Sequence, residues 1–332
     1  MIETSARPLG LSDDQLRLVL ETAGRAPSLH NTQPWLFRTA ADRIELYSDP
    51  TRRLWVADPA GREERIACGA ALLNLRLALL GQGIKPVVSV LPDPARPDLV
   101  ATVRHGGSRR AGPEQRRLLD AVPRRHTNRR PFTETPVPTT ARYALRRAAL
   151  EEGAWLHLVT EPGQRVETSG LARTAHERQM ADPAFADELQ HWTGHGEARH
   201  DGVPAAAGGP LPWPNATWVL RDYTRGAGGG QTGYESEPLI AVLTVHSDGP
   251  REEIRAGVAM QRVLLTATDH GLSASFLSQL VEVAEVRETL RRLLQGARPP
   301  QVVMRIGYGL PVAGTPRRPT EDLLRSEPVT TD

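Results

Sequence analysis

Residues 61–84 read GREERIACGAALLNLRLALLGQGI, and residues 249–272 read GPREEIRAGVAMQRVLLTATDHGL. The two stretches align without a gap: Gly61, Glu64, Ile66, Gly69, Ala71 and Gly83 recur as Gly249, Glu252, Ile254, Gly257, Ala259 and Gly271. In the first, Ile66, Leu73, Leu77 and Leu80 fall on one side at helical spacing, which predicts an amphipathic helix. Gly69, Ala70 and Ala71 leave room for another backbone to come close. Recurrence at one fixed offset is the mark of an internal repeat. The competing reading is two similar amphipathic helices arising by chance.

Outward from these helices, the flanking segments agree in order. Ser12-Asp13-Asp14-Gln15 has the form of a capping box, and Leu16, Val19, Leu20 and Ala23 carry a helix from about 12 to 25 that Pro27 stops. A loop over 26–34 follows, then strand-like Trp35-Leu36-Phe37 and the alternating Ile44-Glu45-Leu46-Tyr47. In the second half, a helix at 139–150 reaches Trp155-Leu156-His157-Leu158 through Glu151-Glu152-Gly153 alone, so the loop from Pro27 to Gln33 has no counterpart there. Residues 239–245 and 301–306 read as buried strands. The pattern predicts an α+β fold: two degenerate repeats, 8–110 and 123–325, fused into a single-chain pseudo-dimer. An insertion at about 162–235, rich in Gly, Pro, His and Trp, interrupts the second repeat. It is expected to hold helices near 165–181 and 184–192 and to act as a lid or an interaction arm. The tail from Ser326 is expected to be disordered.

Composition narrows the function. In 332 residues, 41 basic and 39 acidic side chains leave a net charge of +2, which is not the footprint of a general nucleic-acid binder. Lys85 is the only lysine and has no P-loop around it, which excludes a Walker ATPase and argues against a pyridoxal-phosphate enzyme. Cys68 is the only cysteine, so disulfide scaffolds, CxxC redox pairs and cysteine metal sites are excluded. Its small neighbours mark it as a buried hydrophobe rather than a nucleophile. The first residues have no apolar core of a signal peptide, and no 18-residue apolar run free of charge occurs, so a cytoplasmic protein without a membrane partner is expected.

The densest basic feature is Arg124-Arg125-His126-Thr127-Asn128-Arg129-Arg130. Arginines spaced around a hydroxyl suit a phosphate, because each N–H donor meets a charged oxygen; a solvated basic loop is the alternative. Arg317-Arg318-Pro319 is a second, weaker cluster. Three further motifs compete less well. Gly228-Gly229-Gly230-Gln231-Thr232-Gly233 satisfies GxGxxG, but the segment after it reads as a strand rather than a helix. His176, His191, His195 and His200 invite a zinc reading, but glycines at 194 and 196 break the helix that would align them, and no metal is expected. His30 beside Ser28 lacks the GxSxG elbow of a hydrolase.

Arg125-His126-Thr127-Asn128-Arg129 resembles the phosphate and flavin segment of the FMN-dependent nitroreductases, and Ala26-Pro27-Ser28-Leu29-His30-Asn31-Thr32-Gln33-Pro34-Trp35 resembles their Pro-Ser loop. The order of the two is similar to that in the Acg-like branch of fused, degenerate nitroreductases, and the likeness covers about residues 10–325. The resemblance implies that Arg125 and either Arg317 or Arg318 hold an FMN phosphate, with His126 and Thr127 beside them and Arg129 near the flavin ring. It implies that Pro27, Ser28, Leu29 and Asn31 line that ring, and that backbone near Leu277, Ser278 and Gln279 faces flavin N5. One FMN per chain is implied, because the mirror-image site lacks its loop. NAD(P)H is the implied reductant and a nitroaromatic or quinone-like molecule the acceptor. The alternative is an FMN-sequestering or storage protein with a closed lid. Monomer and homodimer both remain open.

Overall fold

The computed structural model describes residues 7–196, 199–210, 217–225, 237–296 and 298–325. Helix α1 (Asp13–Gly24) starts with the expected box: Ser12 Oγ accepts from Gln15 N at 3.3 Å and Gln15 Oε1 accepts from Ser12 N at 2.9 Å. Strands β1 (Trp35–Ala40) and β2 (Arg43–Ser48) form an antiparallel hairpin with Trp35 opposite Ser48. Helix α2 (Arg62–Gly81) follows, then β3 (Ile84–Val90) and β4 (Leu99–Ser108), and the sheet order is β1-β2-β4-β3. The sequence reading ran this helix on to residue 84. Gly83, at φ +79°, turns the chain out of the helix, and Ile84 already belongs to β3.

Helix α3 (Pro113–Ala121) leads into the second half, where α4 (Thr139–Glu151) turns directly into β5 (Trp155–Val159). Next come α5 (Pro162–Met180), α6 (Pro183–Trp192) and the short pair β6 (Thr193–His195) and β7 (Val203–Pro204). The chain then enters β8 (Leu239–Thr244), α7 (Pro250–Asp269) and β9 (Ser273–Phe276). It finishes with α8 (Gln279–Glu282), α9 (Ala284–Leu293) and β10 (Pro300–Gly307). The second large sheet is ordered β5-β8-β10-β9. Counting only the strands of each four-stranded sheet in chain order, both sheets run first, second, fourth, third. Helices α5 and α6 fall where the insertion's helices were expected. The GxGxxG stretch and the tail from Ser326 lie outside the described residues.

The two central helices meet at their glycines. A Cβ added to Gly69 would sit 2.1 Å from the Ile254 carbonyl oxygen, and one added to Gly257 would sit 1.9 Å from that of Ile66. These are corresponding positions of the aligned stretches exchanging the same contact, and only glycine permits it. Further along the crossing, Gln261 Nε2 donates to Asn74 Oδ1 at 2.8 Å in a buried position, and Arg65 pairs with Glu253. Helix α2 is buried nearly all round rather than on one face, because α1, α3 and α7 pack about it. One apolar core consequently runs through both sheets and α1, α2, α4 and α7. After β10 the chain returns to the first sheet, where Arg325 N donates to Phe37 O at 2.8 Å. That return carries Arg317 and Arg318 to the loop after α1.

Candidate functional site

The loop between α1 and β1 is held in a strained shape. His30, Asn31 and Gln33 take φ values of 50°, 58° and 53°, a region that costs a non-glycine residue about 1–2 kcal/mol. Side chains fix it: Ser28 Oγ accepts from Gln33 N at 2.9 Å, Gln33 Oε1 accepts from Arg318 N at 2.9 Å, and Gln33 Nε2 donates to His200 O at 2.8 Å. Asn31 Nδ2 donates to Gly202 O at 2.9 Å and to Pro316 O at 3.0 Å. The insertion and the C-terminal return thus both clamp this loop.

A cleft opens beside it, with about 630 Å³ of empty space including the mouth. Pro27, Ser28, Leu29 and His30 form one wall, and Glu63, Ile66 and Ala67 of α2 another. Thr127, Arg129 and Met260 come from the second half, as do Ser275, Phe276 and Ser278 near β9. Val281, Val302 and Val303 close the floor, and Tyr223 of the insertion completes the lining.

The arginine segment is fixed to the second sheet. Asn128 N donates to Ala274 O at 2.9 Å, extending the sheet beyond β9. Arg305, fully buried on β10, donates to the carbonyls of Asn128 at 3.1 Å and Arg130 at 2.9 Å while stacking on Phe132. Arg125 is buried, and its Nη2 donates to Arg25 O at 3.3 Å. Arg317 Nη2 donates to the same oxygen at 3.3 Å, and its Nη1 donates to Asn31 Oδ1 at 3.0 Å and Thr315 Oγ1 at 2.7 Å. The Nε of each is buried without a hydrogen-bond partner among the described residues. Burial pulls Arg125 down to about 10, and burial with Arg125 alongside pulls Arg317 to about 9. His126, exposed beside them, is lowered by partial desolvation and then by both arginines.

Arg129 lies with its guanidinium 4.6 Å from the Tyr223 ring centre and donates to Ala207 O at 3.1 Å. Arg318 is not brought to Arg125. Its side chain goes to the carbonyls of Gln33 at 3.2 Å, Trp35 at 3.4 Å and Asp322. Of the other sequence candidates, Pro27, Ser28, Leu29, Thr127 and Ser278 line the cleft. Asn31 and Gln279 are buried behind it, the latter donating to Val219 O at 2.9 Å. The Leu277 N–H donates to Val303 O at 2.9 Å. Cys68 is buried, and its thiol donates to Pro34 O at 3.2 Å. His195 Nε2 lies 3.0 Å from Arg199 Nη1, and among the described residues no three His, Cys, Asp or Glu side chains converge as a metal site.

Sequence reasoning assigned no role in this cleft to three of its titratable side chains, His30, Tyr223 and Glu63. His30 sets its ring edge against Tyr223, with a buried Nδ1 that has no partner among the described residues; burial, then Arg221 and Arg129, push it well below the usual imidazole range. Tyr223 sits in a segment with no repeat partner to compare. Glu63 offered one signal: it aligns with Arg251, so the two copies differ in charge there.

Fold and site together define an α+β protein with two sheets of like order, a cleft lined by residues of both halves, and an arginine pair at the end of the Pro-Ser loop that borders it. No protein-family model matches the chain. It is 33% identical over 315 residues, 92% of this chain and 88% of the relative, to the Mycobacterium tuberculosis protein named "Putative NAD(P)H nitroreductase Rv3131". It is 26% identical over 320 residues, 94% of this chain and 96% of the relative, to "Putative NAD(P)H nitroreductase acg" of the same organism. A solved nitroreductase with bound FMN from Desulfitobacterium hafniense is 12% identical, with 63% of this chain and 97% of that one covered and a TM-score of 0.40. The chain belongs to the nitroreductase family, alongside its Acg-like members. No helix among the described residues is long and apolar enough to cross a membrane.

Proposed function

We propose that this chain is an FMN-dependent NAD(P)H oxidoreductase of nitroreductase type acting on a small nitroaromatic or quinone-like acceptor. One observation carries the reading: Arg125, which is buried, and Arg317, which is partly buried, donate to a single carbonyl, each leaves a buried Nε without a hydrogen-bond partner, and neither has a carboxylate partner among the described residues. Two cations so placed are costly without an anion, and a phosphate supplies one with charge-assisted bonds. The residues therefore fit the phosphate of FMN. Arg125 and Arg317 would hold it, His126 and Thr127 would flank it, and Arg129 would bring positive charge to the ring. Pro27, Ser28, Leu29 and Ser278 would line the ring, and Ile66, Ala67 and Met260 would keep water from it. When bound, FMN supplies the hydride chemistry. The nicotinamide reductant is supported by the names of the relatives.

We infer as well that 8–110 and 123–325 are two copies of one unit. The matching strand orders and the reciprocal glycine contact support this. One FMN per chain follows, because the direct turn from α4 to β5 leaves no loop for a second site.

A second reading, sequestration of FMN under a closed lid, is favoured by the insertion's grip on the cleft. Gly202 and His200 are bound by Asn31 and Gln33, Asp201 pairs with Arg52 at 2.8 Å, and Tyr223 covers Arg129. Reconstitution with FMN followed by anaerobic NADPH or NADH separates the two. Bleaching, with recovery on adding a nitroaromatic or quinone, is expected for the oxidoreductase. A yellow protein bleached by dithionite alone would establish sequestration, and a protein that stays colourless would overturn both.

A further inference from the structure

Glu63 is the acidic side chain among the described residues of the cleft wall, in the first turn of α2. One carboxylate oxygen, Oε1, is held by Arg62 Nη2. Arg62 is itself fixed to the cleft floor, donating to Gln301 O at 2.8 Å and Val281 O at 3.2 Å. The other oxygen, Oε2, has no hydrogen-bond partner among the described residues, and only 13% of the side chain reaches solvent. So the carboxyl is aimed, anchored at one oxygen and open to the cleft at the other.

Its charged surroundings come from four elements. Arg62 lies on its own helix, Asp58 in the loop ahead of it, Glu282 on α8 and Arg221 on the insertion. Glu282 and Arg221 are paired with each other, at 1% and 2% side-chain exposure, so together they leave little net charge near Glu63. Burial dominates, and with Arg62 opposing and Glu282 and Asp58 adding it raises Glu63 to about 7. His30, also in the wall, is held neutral and is no acid at neutral pH.

We propose that Glu63 is the proton donor of this cleft, delivering the proton that must accompany hydride when a quinone-like or nitro acceptor is reduced there. The inference rests on the oxidoreductase reading, in which NAD(P)H is the source of the hydride. A quinone that gains hydride carries a negative charge on oxygen. The Glu63 O–H bond breaks, its proton forms the new O–H bond of the hydroquinone, and the electron pair stays on the carboxylate, which Arg62 stabilises. Water then returns a proton. A group with its pKa near the working pH suits this task.

The test uses FMN-loaded wild type, Glu63→Gln and Glu63→Asp. In stopped flow, reoxidation of the reduced protein by a benzoquinone is expected to be roughly 10²-fold slower in Glu63→Gln at neutral pH. Wild-type reoxidation should decline as pH rises through about 7, the Gln variant should lose that dependence, and Asp should restore part of both. Independently of turnover, infrared difference spectra should show a carboxyl C=O band that titrates near 7 in wild type and is missing in Glu63→Gln. Unchanged reoxidation and pH dependence in Glu63→Gln, with flavin bound as in wild type, would overturn this proposal alone. So would the absence of a titrating band. A wild type that binds no flavin would overturn it together with the oxidoreductase reading.

Discussion

Arg125 and Arg317 donate to one carbonyl oxygen, that of Arg25, each at 3.3 Å. Three distant parts of the chain meet at that point: the end of α1, the segment ahead of α4 and the return after β10. The backbone oxygen satisfies hydrogen bonds but not charge, so the pair repels and is held together by the packing around it. A dianion placed between them would reverse the sign of their interaction.

Arg125→Ala and Arg317→Ala should therefore each weaken FMN binding by about 1.5–3 kcal/mol, while Arg318→Ala, tied to the backbone of Gln33 and Trp35, should change affinity little. Without ligand, Arg317→Ala should unfold at a temperature no lower than wild type, because its repulsion with Arg125 is removed. Fluorescence-quenching titrations and melting curves with and without FMN measure both. An Arg318 variant weaker than the Arg317 variant would show that the wrong cation has been assigned to the phosphate.

Asn31 ties three segments at once, accepting from Arg317 and donating to Gly202 and Pro316. Asn31→Ala should cost flavin affinity by roughly the value of one lost charge-assisted bond, about 1.5–3 kcal/mol, although Asn31 is behind the cleft wall. Hydrogen exchange at residues 199–204 should rise in the variant. Faster exchange with unchanged affinity would separate the insertion's docking from the placement of Arg317.

The glycine contact makes a sharper stability prediction. Gly69→Ala or Gly257→Ala drives a methyl group into the facing carbonyl and should cost at least about 1–3 kcal/mol. Gly170→Ala, in α5 with nothing within 4 Å of the added carbon, should instead stabilise by about 0.5–1 kcal/mol. Denaturant midpoints give all three values. Equal effects at Gly170 and Gly69 would mean that helix propensity rather than the close approach sets the result.

Local signals in the sequence were strong wherever the structure is local. The Ser12 capping box, Pro27 and the aligned helices place α1, α2 and α7, and the missing loop after α4 is visible from Glu151-Glu152-Gly153. What was not legible depends on long-range packing. Strands β3 and β4 and helices α3, α8 and α9 carry short or mixed patterns that acquire meaning only beside their sheets. Within the cleft, spacing identified Arg125 and Arg129, but nothing in Arg317-Arg318 says which of two neighbours turns inward. That choice is made by Gln33, whose side chain takes the Arg318 N–H. Glu63 and His30 are ordinary residue types whose character comes from burial, which a sequence does not display.

Burial of Glu63 also gives a pH signature in stability. Its folded value of about 7 lies above the 4.5 of the unfolded chain, so the folded state holds the proton more tightly. The contribution is fully present below 4.5 and is lost as pH rises through about 7. Wild type should therefore lose stability relative to Glu63→Gln across that window and then run parallel to it. Asp58, raised to about 6 by burial, acts in the same direction in both proteins. A difference that stays flat from 4.5 to 8, or grows in the opposite direction, would show that Glu63 is ionised in the folded protein throughout.

Tyr223 decides between the open and closed readings of the insertion. Its ring lies over Arg129 and against His30 in the cleft lining while contributing no bond to the Arg125–Arg317 pair among the described residues. Tyr223→Ala should leave FMN affinity within a few-fold of wild type and widen the opening. If the insertion only opens and closes, NAD(P)H already reduces the wild type, and the variant should gain rate chiefly with bulky nitroaromatics. If the insertion stays shut, the variant should be reduced by NAD(P)H where the wild type is bleached by dithionite alone. Stopped-flow absorbance at the flavin band, with NADPH, NADH and dithionite in turn, reads these cases directly. Identical rates and identical acceptor range in both proteins would show that Tyr223 does not limit entry and leave the insertion as an arm whose contact with the cleft is incidental.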